Sequence, residues 1–155
     1  MRLSQRQMQF VPCTEDYWEF VRDLRTGPET GKWFLQQAQI TSQQQRTYMK
    51  LHWRNYFIAI LEARPVGFVG SIDNDIRVCV HPDHWRRGIG RFLITELMQR
   101  FPHASARVKE RNEAGNALFR STGFVRGSTT SSRTDTGDHV PTAVWTLPDP
   151  ALREA

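Results

Sequence analysis

One segment of the sequence, residues 76–101, restricts the fold more than any other. Over residues 76–81 apolar side chains alternate with mixed ones, a pattern typical of a β-strand that buries one face. Pro82 ends this strand, and Gly88-Ile89-Gly90 then supplies a turn. From residue 89 to residue 101 an apolar residue recurs at every fourth position, which predicts a helix with one buried side. The chain is therefore expected to contain a strand that leads through a glycine turn into an amphipathic helix.

Helices are expected before this segment. Thr14 and the acidic residues after it predict a helix over residues 14–24, because a hydroxyl can cap the first N–H groups and acids suit the helix dipole. A short second helix is expected over residues 30–37. Thr41-Ser42-Gln43-Gln44 matches a capping box and predicts a third helix that reaches about residue 53.

Strands are expected in the middle and at the end of the chain. Their predicted ranges, from aromatic, β-branched and alternating patterns, are 55–61, 66–72, 76–81, 105–108, 124–126 and 140–147. The first three form an antiparallel meander interrupted at Arg64-Pro65, and a loop over residues 127–139 joins the last two. A further helix begins near Asn112 and ends at Gly123. Since no linker or repeat divides the chain, we expect one domain over residues 1–148 and a frayed tail over residues 149–155.

The composition fits such a domain. The chain has 155 residues, of which 39% are apolar and 24% charged, so it can build one packed core. Its longest apolar run, residues 56–61, is far shorter than the roughly 20 residues of a membrane-spanning helix, and its first residues lack a signal-peptide pattern. A cytoplasmic protein is therefore expected. Cys13 and Cys79 are too few for a disulfide or zinc framework, which predicts free thiols.

The charge favours anionic partners. The formal net charge is +5, and three of the arginines, Arg86, Arg87 and Arg91, cluster around the glycine turn. Nucleic acid, a nucleotide or a CoA-like molecule would each suit a basic chain. The other basic residues are scattered rather than arranged in a dense stripe, which makes nucleic acid the weakest of the three.

The glycine turn has the composition of a phosphate-binding turn. Residues without a Cβ allow backbone N–H groups to converge on an anion, and the helix N-terminus presents its positive end there. Position 93 is Leu rather than the third glycine of a dinucleotide-binding fold, and no Lys-Ser or Lys-Thr pair completes a P-loop. The alternative is an ordinary tight turn beside solvated arginines. A second segment, which begins Asn112-Glu113-Ala114 and ends Gly123-Phe124, follows a little over twenty residues later and favours the phosphate interpretation, because two linked motifs are a more specific signal than one.

The two segments together resemble motifs A and B of the GNAT acyl-CoA N-acyltransferases. Gly88 and Gly90 match the glycines of the first motif, and Asn112 with Gly123-Phe124 matches the second. The resemblance implies an α+β fold of mixed αβα type: a twisted, mostly antiparallel sheet of six to seven strands, flanked by helices. It also implies a splayed central parallel pair of strands, here those ending at His81 and Val108.

The resemblance further implies acetyl-CoA as co-substrate and transfer of its acetyl group to a primary amine by direct attack in a ternary complex. Backbone N–H groups near residues 78–80 would polarise the carbonyl. The residues expected to bind the cofactor are Val78, Cys79, Val80, Trp85, Arg86, Arg87, Gly88, Ile89, Gly90, Arg91, Asn112, Asn116 and Phe119. At Gly90 a bulkier side chain is expected to block the close approach of the pyrophosphate.

The sequence departs from the family pattern at two positions. Trp85 stands where the family usually has Gln or Arg, and Phe119 stands where many members have a Tyr that protonates the departing thiolate. Ser121 or a water molecule is the replacement candidate for that proton donor. Candidate bases that would deprotonate the amine are Asp73, Asp75, Glu62 and His81, and for each acid an ordinary turn or edge role is the alternative.

The acceptor is less constrained. Residues 22–34, followed by Ile40-Thr41, are similar to the opening of amino-sugar N-acetyltransferases that act on nucleotide-linked sugars, although Trp33 and Phe34 also suit a helix core. Ribosomal or other protein amines are alternative acceptors. The partner is thus expected to be a small-molecule amine, with either a monomer or a homodimer compatible.

Other readings of single residues and of the whole chain remain open. His81 and His84 are spaced too loosely for a metal site, and Cys79 suits a buried hydrophobe better than an acyl-enzyme nucleophile. Two rival functions are a catalytically impaired GNAT-fold CoA sensor and a basic nucleic-acid-binding module.

Overall fold

The computed structural model describes residues 7–35 and 39–148. These residues form seven strands and four α-helices, joined in places by single 3-10 turns. The strands are β1 (Met8–Pro12), β2 (Tyr56–Leu61), β3 (Arg64–Ile72), β4 (Asp75–Val80), β5 (Ser105–Lys109), β6 (Val125–Arg133) and β7 (His139–Thr146). The helices are α1 (Trp18–Thr26), α2 (Ser42–His52), α3 (Ile89–Arg100) and α4 (Glu113–Ser121).

The strands form one mixed sheet in the order β1-β2-β3-β4-β5-β7-β6. All neighbours are antiparallel except β4 and β5, which run parallel. The register between these two strands comprises the single pair Asp75 and Ser105, next to a hydrogen bond of 2.8 Å from the Ser105 N–H to the Asn74 carbonyl. Beyond that pair the two strands diverge. The expected α+β fold and the splayed parallel pair are therefore confirmed.

Each face of the sheet carries a hydrophobic core. On one face α3 packs Ile89, Leu93 and Leu97, each at most 1% exposed, as its four-residue spacing predicted. On the other face α1 and α2 cover the middle of the sheet, where Tyr56 and Phe68 are buried. Burial of one such side chain stabilises the fold by about 1.5–3 kcal/mol. The sheet is thus covered on both faces, while the pairing between β4 and β5 stops after a single residue pair.

The helices between β1 and β2 match the predictions in part. The capping box at Thr41 is present, since its hydroxyl accepts from the Gln44 N–H at 3.1 Å and the Gln44 side chain accepts from the Thr41 N–H at 2.8 Å. Thr14 makes no side-chain cap, and a 3-10 turn over Glu15–Tyr17 precedes α1. The predicted helix over residues 30–37 is a 3-10 turn, Gly31–Trp33, within the described part, while residues 36–38 lie outside it.

Two strand boundaries were predicted wrongly. Arg64-Pro65 belongs to β3, because the reversal occurs one step earlier, where Glu62 and Ala63 adopt φ of 50° and 64°. The predicted loop over residues 127–139 is mostly strand β6 and the start of β7, closed by a short turn in which Thr134 N–H donates to the Asp138 carbonyl at 2.8 Å. This edge strand is exposed and rich in Ser and Thr, so it lacks the apolar signal used for prediction.

Strand β1 was not predicted at all. It pairs with β2 from Met8↔Leu61 to Pro12↔Phe57, and of its side chains only Met8 is fully buried. A half-exposed edge strand with Gln between its apolar residues has no distinctive pattern. The expected tail over residues 149–155 lies outside the described residues.

Candidate active site

A cleft of about 1420 Å³ opens where β4 and β5 diverge. One end is bounded by the glycine turn and the first turns of α3 and α4. The other end is bounded by the end of α1, the 3-10 turn that follows it, and α2. The middle is formed by the separating strands themselves. The cleft therefore passes through the sheet and joins two chemically different regions.

The glycine-turn end is built from backbone. Arg86 and Gly88 adopt positive φ of 65° and 85°, and α3 begins at Ile89. Within the described part of the chain, the N–H groups of residues 86–91 have no hydrogen-bond acceptor; the first helical bond is that of Phe92 N–H to the Gly88 carbonyl, at 3.1 Å. Unpaired N–H groups at a helix N-terminus are suited to an anion. The side chains of Arg86 and Arg91 line the cleft beside them, whereas Arg87 lies outside its lining and approaches His84 Nδ1 at 3.5 Å.

Gly90 faces a neighbouring helix. A Cβ placed there would lie 2.9 Å from Leu118 Cδ2 and 3.3 Å from Cδ1, so the absence of a side chain allows α3 to approach α4. A Cβ at Gly88 would meet nothing within 4 Å, but the positive φ disfavours any L side chain. A side chain at Gly90 therefore meets a packing conflict within the protein, while the expected obstruction of the pyrophosphate stays a prediction.

Strand β4 presents alternate backbone groups to the gap. The His81 N–H donates to the Val66 carbonyl at 2.8 Å, so the backbone N–H and carbonyl groups of every second residue, counted back from His81 along β4, face β3. The backbone groups of the residues between them face β5, as the Asn74 carbonyl does. The N–H groups of Val78 and Val80 consequently point toward the diverging gap, in the region where the sequence predicted carbonyl-polarising donors.

Trp85 forms a hydrogen bond with a backbone carbonyl at the end of β4. Its indole Nε1 donates to the Val80 carbonyl at 2.8 Å, while the side chain remains 49% exposed at the edge of the cleft. This hydrogen bond holds the turn against the end of β4. A Gln or Arg, the usual residues of the resembled motif at this position, would not present the same large aromatic surface.

Helix α4 is positioned by two asparagines with different roles. Asn112 caps it, since its Oδ1 accepts from the Gly115 N–H at 2.9 Å, and it lines the cleft. Asn116 is buried, donates to the carbonyls of Lys109, Glu110 and Asn112, and accepts from Trp145 Nε1 at 2.7 Å. Asn116 lies outside the cleft lining, and its hydrogen bonds fix the loop between β5 and α4. Its expected cofactor contact is corrected to a structural role.

The proton-donor position is occupied by an apolar ring. Phe119 is 3% exposed, lines the cleft and packs edge-on against Phe124 with ring centroids 5.1 Å apart. Ser121, the replacement candidate, also lines the cleft, and its Oγ donates to the Leu118 carbonyl at 2.8 Å. Its hydroxyl is thus engaged with its own helix.

Of the four candidate bases, one lies in the cleft. Asp75 lines it and forms two contacts of 3.4 Å with Arg107. Asp73 and Glu62 are exposed turn residues with positive φ, outside the lining. The His81 Nδ1 accepts from the Asp83 N–H at 3.1 Å and caps the 3-10 turn after β4. Asp73 and Glu62 therefore occupy ordinary turn positions, the alternative stated for the acids, and His81 caps a turn outside the cleft lining.

His84 lines the cleft although it was considered only for a metal site. Burial and the neighbouring Arg87 lower the pKa of His84, which favours its neutral form. Among the described residues, no group of three or more His, Cys, Asp and Glu side chains is arranged to hold a metal ion. Within the same residues, no helix has the length and apolar character needed to cross a membrane.

The far end of the cleft contains a side-chain network that sequence reasoning missed. Arg77 Nη1 donates to the hydroxyls of Tyr48 at 2.9 Å and Tyr56 at 3.2 Å, and the two hydroxyls are 2.8 Å apart. Burial raises the pKa of Tyr48, so its phenol is neutral. Arg25 of α1 joins this region, with its guanidinium 4.9 Å from the centre of the Phe34 ring. The only sequence signal was Arg77 on the mixed face of β4.

Cys79 lies on the same face of β4. Burial raises the pKa of its thiol to about 12, against which the hydrogen bond with Thr30 and the charge of Arg25 act in the opposite direction. The thiol is therefore protonated at neutral pH, and it packs with the core beneath α1 and α2. This placement supports the buried-hydrophobe reading of Cys79.

Comparisons with known proteins agree with this architecture. Residues 52–126 match the family model described as an acetyltransferase (GNAT) domain. No curated protein is a significant sequence match to the chain. Among solved structures, a spermidine N-acetyltransferase from Vibrio cholerae, in complex with CoA and spermine, is similar with a TM-score of 0.79 and 14% identity, over 92% of this chain and 95% of that one.

Two further structures are similar. An N-acetyltransferase from Staphylococcus aureus gives a TM-score of 0.76 at 15% identity, over 90% of this chain and 97% of that one. A ribosomal-protein-alanine N-acetyltransferase from Brucella melitensis gives 0.76 at 19% identity, over 88% and 97%. At these low identities the solved structures show similarity of fold alone, whereas the family model shows similarity of sequence over residues 52–126. As the resemblance of motifs A and B predicted, residues 52–126 carry the sequence pattern of a GNAT acetyltransferase domain, and the chain shares the fold of these N-acetyltransferase structures.

Proposed function

We propose that the protein is an N-acetyltransferase that moves the acetyl group of acetyl-CoA to a primary amine. The observation that carries this proposal is the row of unpaired N–H groups over residues 86–91, which opens onto the gap between β4 and β5. Such a row suits a diphosphate, and the gap beside it suits a thioester. The CoA named for the Vibrio cholerae structure, which shares this fold, supports the same choice of co-substrate.

The residues proposed for the cofactor are those that combine lining of the cleft with suitable chemistry. Backbone N–H groups of residues 86 and 88–91 would bind the diphosphate, with Arg86 and Arg91 adding charge. The N–H groups of Val78 and Val80 would donate to the thioester oxygen as it gains negative charge. Trp85 offers an exposed aromatic surface beside them.

In the proposed reaction the lone pair of the amine attacks the thioester carbon and forms a C–N bond. The C–S bond then breaks, and the electron pair leaves on sulfur. The ammonium proton passes to solvent or to a base, and the thiolate takes a proton from water, because Phe119 offers none. Most of the rate gain would come from holding amine and thioester together at the diverging strands.

Ligand-induced stabilisation and thiol release together test this proposal. Acetyl-CoA at about 100 times its dissociation constant adds about 2.7 kcal/mol to the free energy of unfolding, which raises the Tm of a chain of this size by about 5–10 °C. Release of free CoA thiol in the presence of a panel of primary amines measures turnover. Absence of the Tm shift would contradict binding of the co-substrate.

Phe119 favours a second candidate function, a CoA sensor without turnover. A chain that shows the Tm shift but no thiol release above background across the amine panel would support the sensor. The variant Phe119→Tyr sharpens this test. If the protein is an enzyme limited by protonation of the thiolate, the variant raises kcat, by less than the ~100-fold typical of general acid catalysis because a thiolate leaves readily.

The acceptor proposed here is a small primary amine. The similarity of residues 22–34 to amino-sugar N-acetyltransferases supports an amino sugar, including one linked to a nucleotide. A protein amine is the competing acceptor and belongs in the same panel.

A further inference from the structure

The far end of the cleft contains two arginines supplied by different elements. Arg25 comes from the last turns of α1, and Arg77 comes from β4; both line the cleft. Arg77 shares with Cys79 the face of β4 that packs toward α1 and α2, whereas Val78 packs on the α3 side. The two arginines therefore lie on the opposite face of the sheet from the glycine turn and its row of N–H groups.

The positive charge at this end exceeds the negative charge that lines it. Asp75 is the carboxylate nearest to Arg77, at 3.9 Å, and it is shared with Arg107, which approaches it at 3.4 Å. The other partners of Arg77 are the hydroxyls of Tyr48 and Tyr56, which accept its hydrogen bonds. Asp75 thus faces two guanidiniums. Arg25 and Lys32 add two more cations to this end of the cleft, and Glu29 adds one carboxylate.

Arg25 has apolar neighbours on one side. Its guanidinium lies over the Phe34 ring, and Leu35 and Ile40 line the same part of the cleft. Burial lowers the pKa of Arg25, the direction expected for a cation with restricted access to water. A poorly solvated arginine beside a second arginine makes the site unfavourable for another cation and favourable for an oxyanion, since a guanidinium matches carboxylate and phosphate geometry.

We propose that the acceptor is an amine that also bears an oxyanion, a carboxylate or a phosphate, and that Arg77 and Arg25 bind this oxyanion while the amine faces the gap between β4 and β5. The inference rests on the proposed acetyl transfer and specifies the class of its substrate. A polycation such as spermidine is disfavoured, because its second ammonium would lie among like charges.

Matched pairs of amines test the inference on the native chain. Glucosamine 6-phosphate is compared with glucosamine, alanine with alanine amide, and spermidine serves as the cationic probe. Thiol release gives kcat/KM for each. The oxyanion-bearing member of one pair is expected to exceed its neutral partner at least about tenfold, the size expected for one charge-assisted hydrogen bond. The two pairs separate phosphate from carboxylate.

Two variants assign the preference to its residues. Arg77→Met and Arg25→Met each remove a cation but keep a side chain of similar length. Each is expected to reduce the ratio of kcat/KM between the oxyanion-bearing and the neutral amine of the favoured pair at least about fivefold, through KM for the oxyanion-bearing amine. Arg54→Met is the matched control, because Arg54 is exposed and lies outside the cleft lining. It is expected to leave the preference unchanged.

The outcomes distinguish this inference from the function on which it rests. The acetyl-CoA Tm shift establishes for every variant that the fold and the cofactor end are intact, and Arg77→Lys replaces Arg77→Met if the latter does not fold. No Tm shift in the native chain means that the proposed acetyl transfer fails. If the native chain shows the Tm shift and turnover but prefers the neutral amines, spermidine or protein amines regardless of charge, the inference about the oxyanion is overturned and the proposed acetyl transfer stands. Survival of the oxyanion preference in both folded variants overturns it as well.

Discussion

The two ends of the cleft are built from different materials. At the glycine turn the functional groups are backbone N–H groups over residues 86–91, aligned by a positive φ at Gly88 and by the start of α3. At the far end they are side chains of Arg25, Arg77 and Tyr48, which come from three elements distant in sequence. Backbone geometry is encoded within a short stretch of sequence, whereas the side-chain network exists only after β4 has packed beneath α1 and α2.

This difference predicts that the two ends respond differently to substitution. A change in the glycine turn should alter cofactor affinity with limited effect on stability. A change that disturbs the packing of α3 against α4 should lower stability with limited effect on cofactor affinity.

The largest effect is expected at Gly88. The variant Gly88→Val places a β-branched residue at φ of 85°, so the turn must adopt another conformation and redirect its N–H groups. Loss of two or more charge-assisted hydrogen bonds should weaken acetyl-CoA binding at least about a hundredfold, measured by calorimetry.

The matched control for this variant is Gly137→Val. Gly137 has a similar φ of 89° but lies in the hairpin between β6 and β7, away from the cleft lining. It is expected to lose comparable stability and to keep its affinity for acetyl-CoA. Equal affinities for the two variants would contradict a backbone-built cofactor site at residues 86–91.

An intermediate effect is expected at Gly90, where a substitution should lower the free energy of unfolding. The variant Gly90→Val overpacks the contact with Leu118 and should lower the free energy of unfolding by about 1–3 kcal/mol, measured by urea unfolding. Leu118→Ala makes room for the new side chain. The double variant should therefore be more stable than the sum of the two single changes predicts. Strict additivity, or a loss confined to acetyl-CoA affinity, would support the original expectation that Gly90 matters for the pyrophosphate.

The smallest effect at neutral pH is expected from the thiols, one of which lies at the acceptor side. The pKa of Cys79 is raised from 9.0 to about 12 by burial, and that of Cys13 likewise to about 12. Between those values the unfolded chain releases protons that the native chain retains. Each thiol therefore lowers the free energy of unfolding by roughly 1.4 kcal/mol per pH unit as the pH rises above 9.

Urea unfolding at several pH values from 8 to 10.5 measures this dependence. The variant Cys79→Ala removes one of the two thiols, so the loss of stability above pH 9 should become shallower while Cys13 still contributes. Rapid alkylation of Cys79 in the native protein at pH 8 would show instead that the thiol is ionised and accessible, and that the acceptor side is more open than the cleft geometry indicates.

Much of the fold followed from local patterns. The alternation in β4 and the four-residue spacing in α3 predicted their elements, because each pattern matches the period of its element and buries one face. The capping box at Thr41 predicted the start of α2 for the same local reason. Edge strands β1 and β6 were missed or shortened, since their stability depends on pairing with β2 and β7 rather than on their own side chains.

The sequence by itself determined the strand, the glycine turn and the helix that form the proposed cofactor end, because a positive φ and a helix start depend on residues close together in the chain. Tertiary structure alone decided which polar groups remain available. It paired Asp75 with Arg107, surrounded Asn116 with hydrogen-bond partners and turned Gly90 toward Leu118. It also brought Arg25 beside Arg77 at the acceptor end. Contacts between residues distant in sequence depend on the packing of whole elements, and no local pattern specifies them.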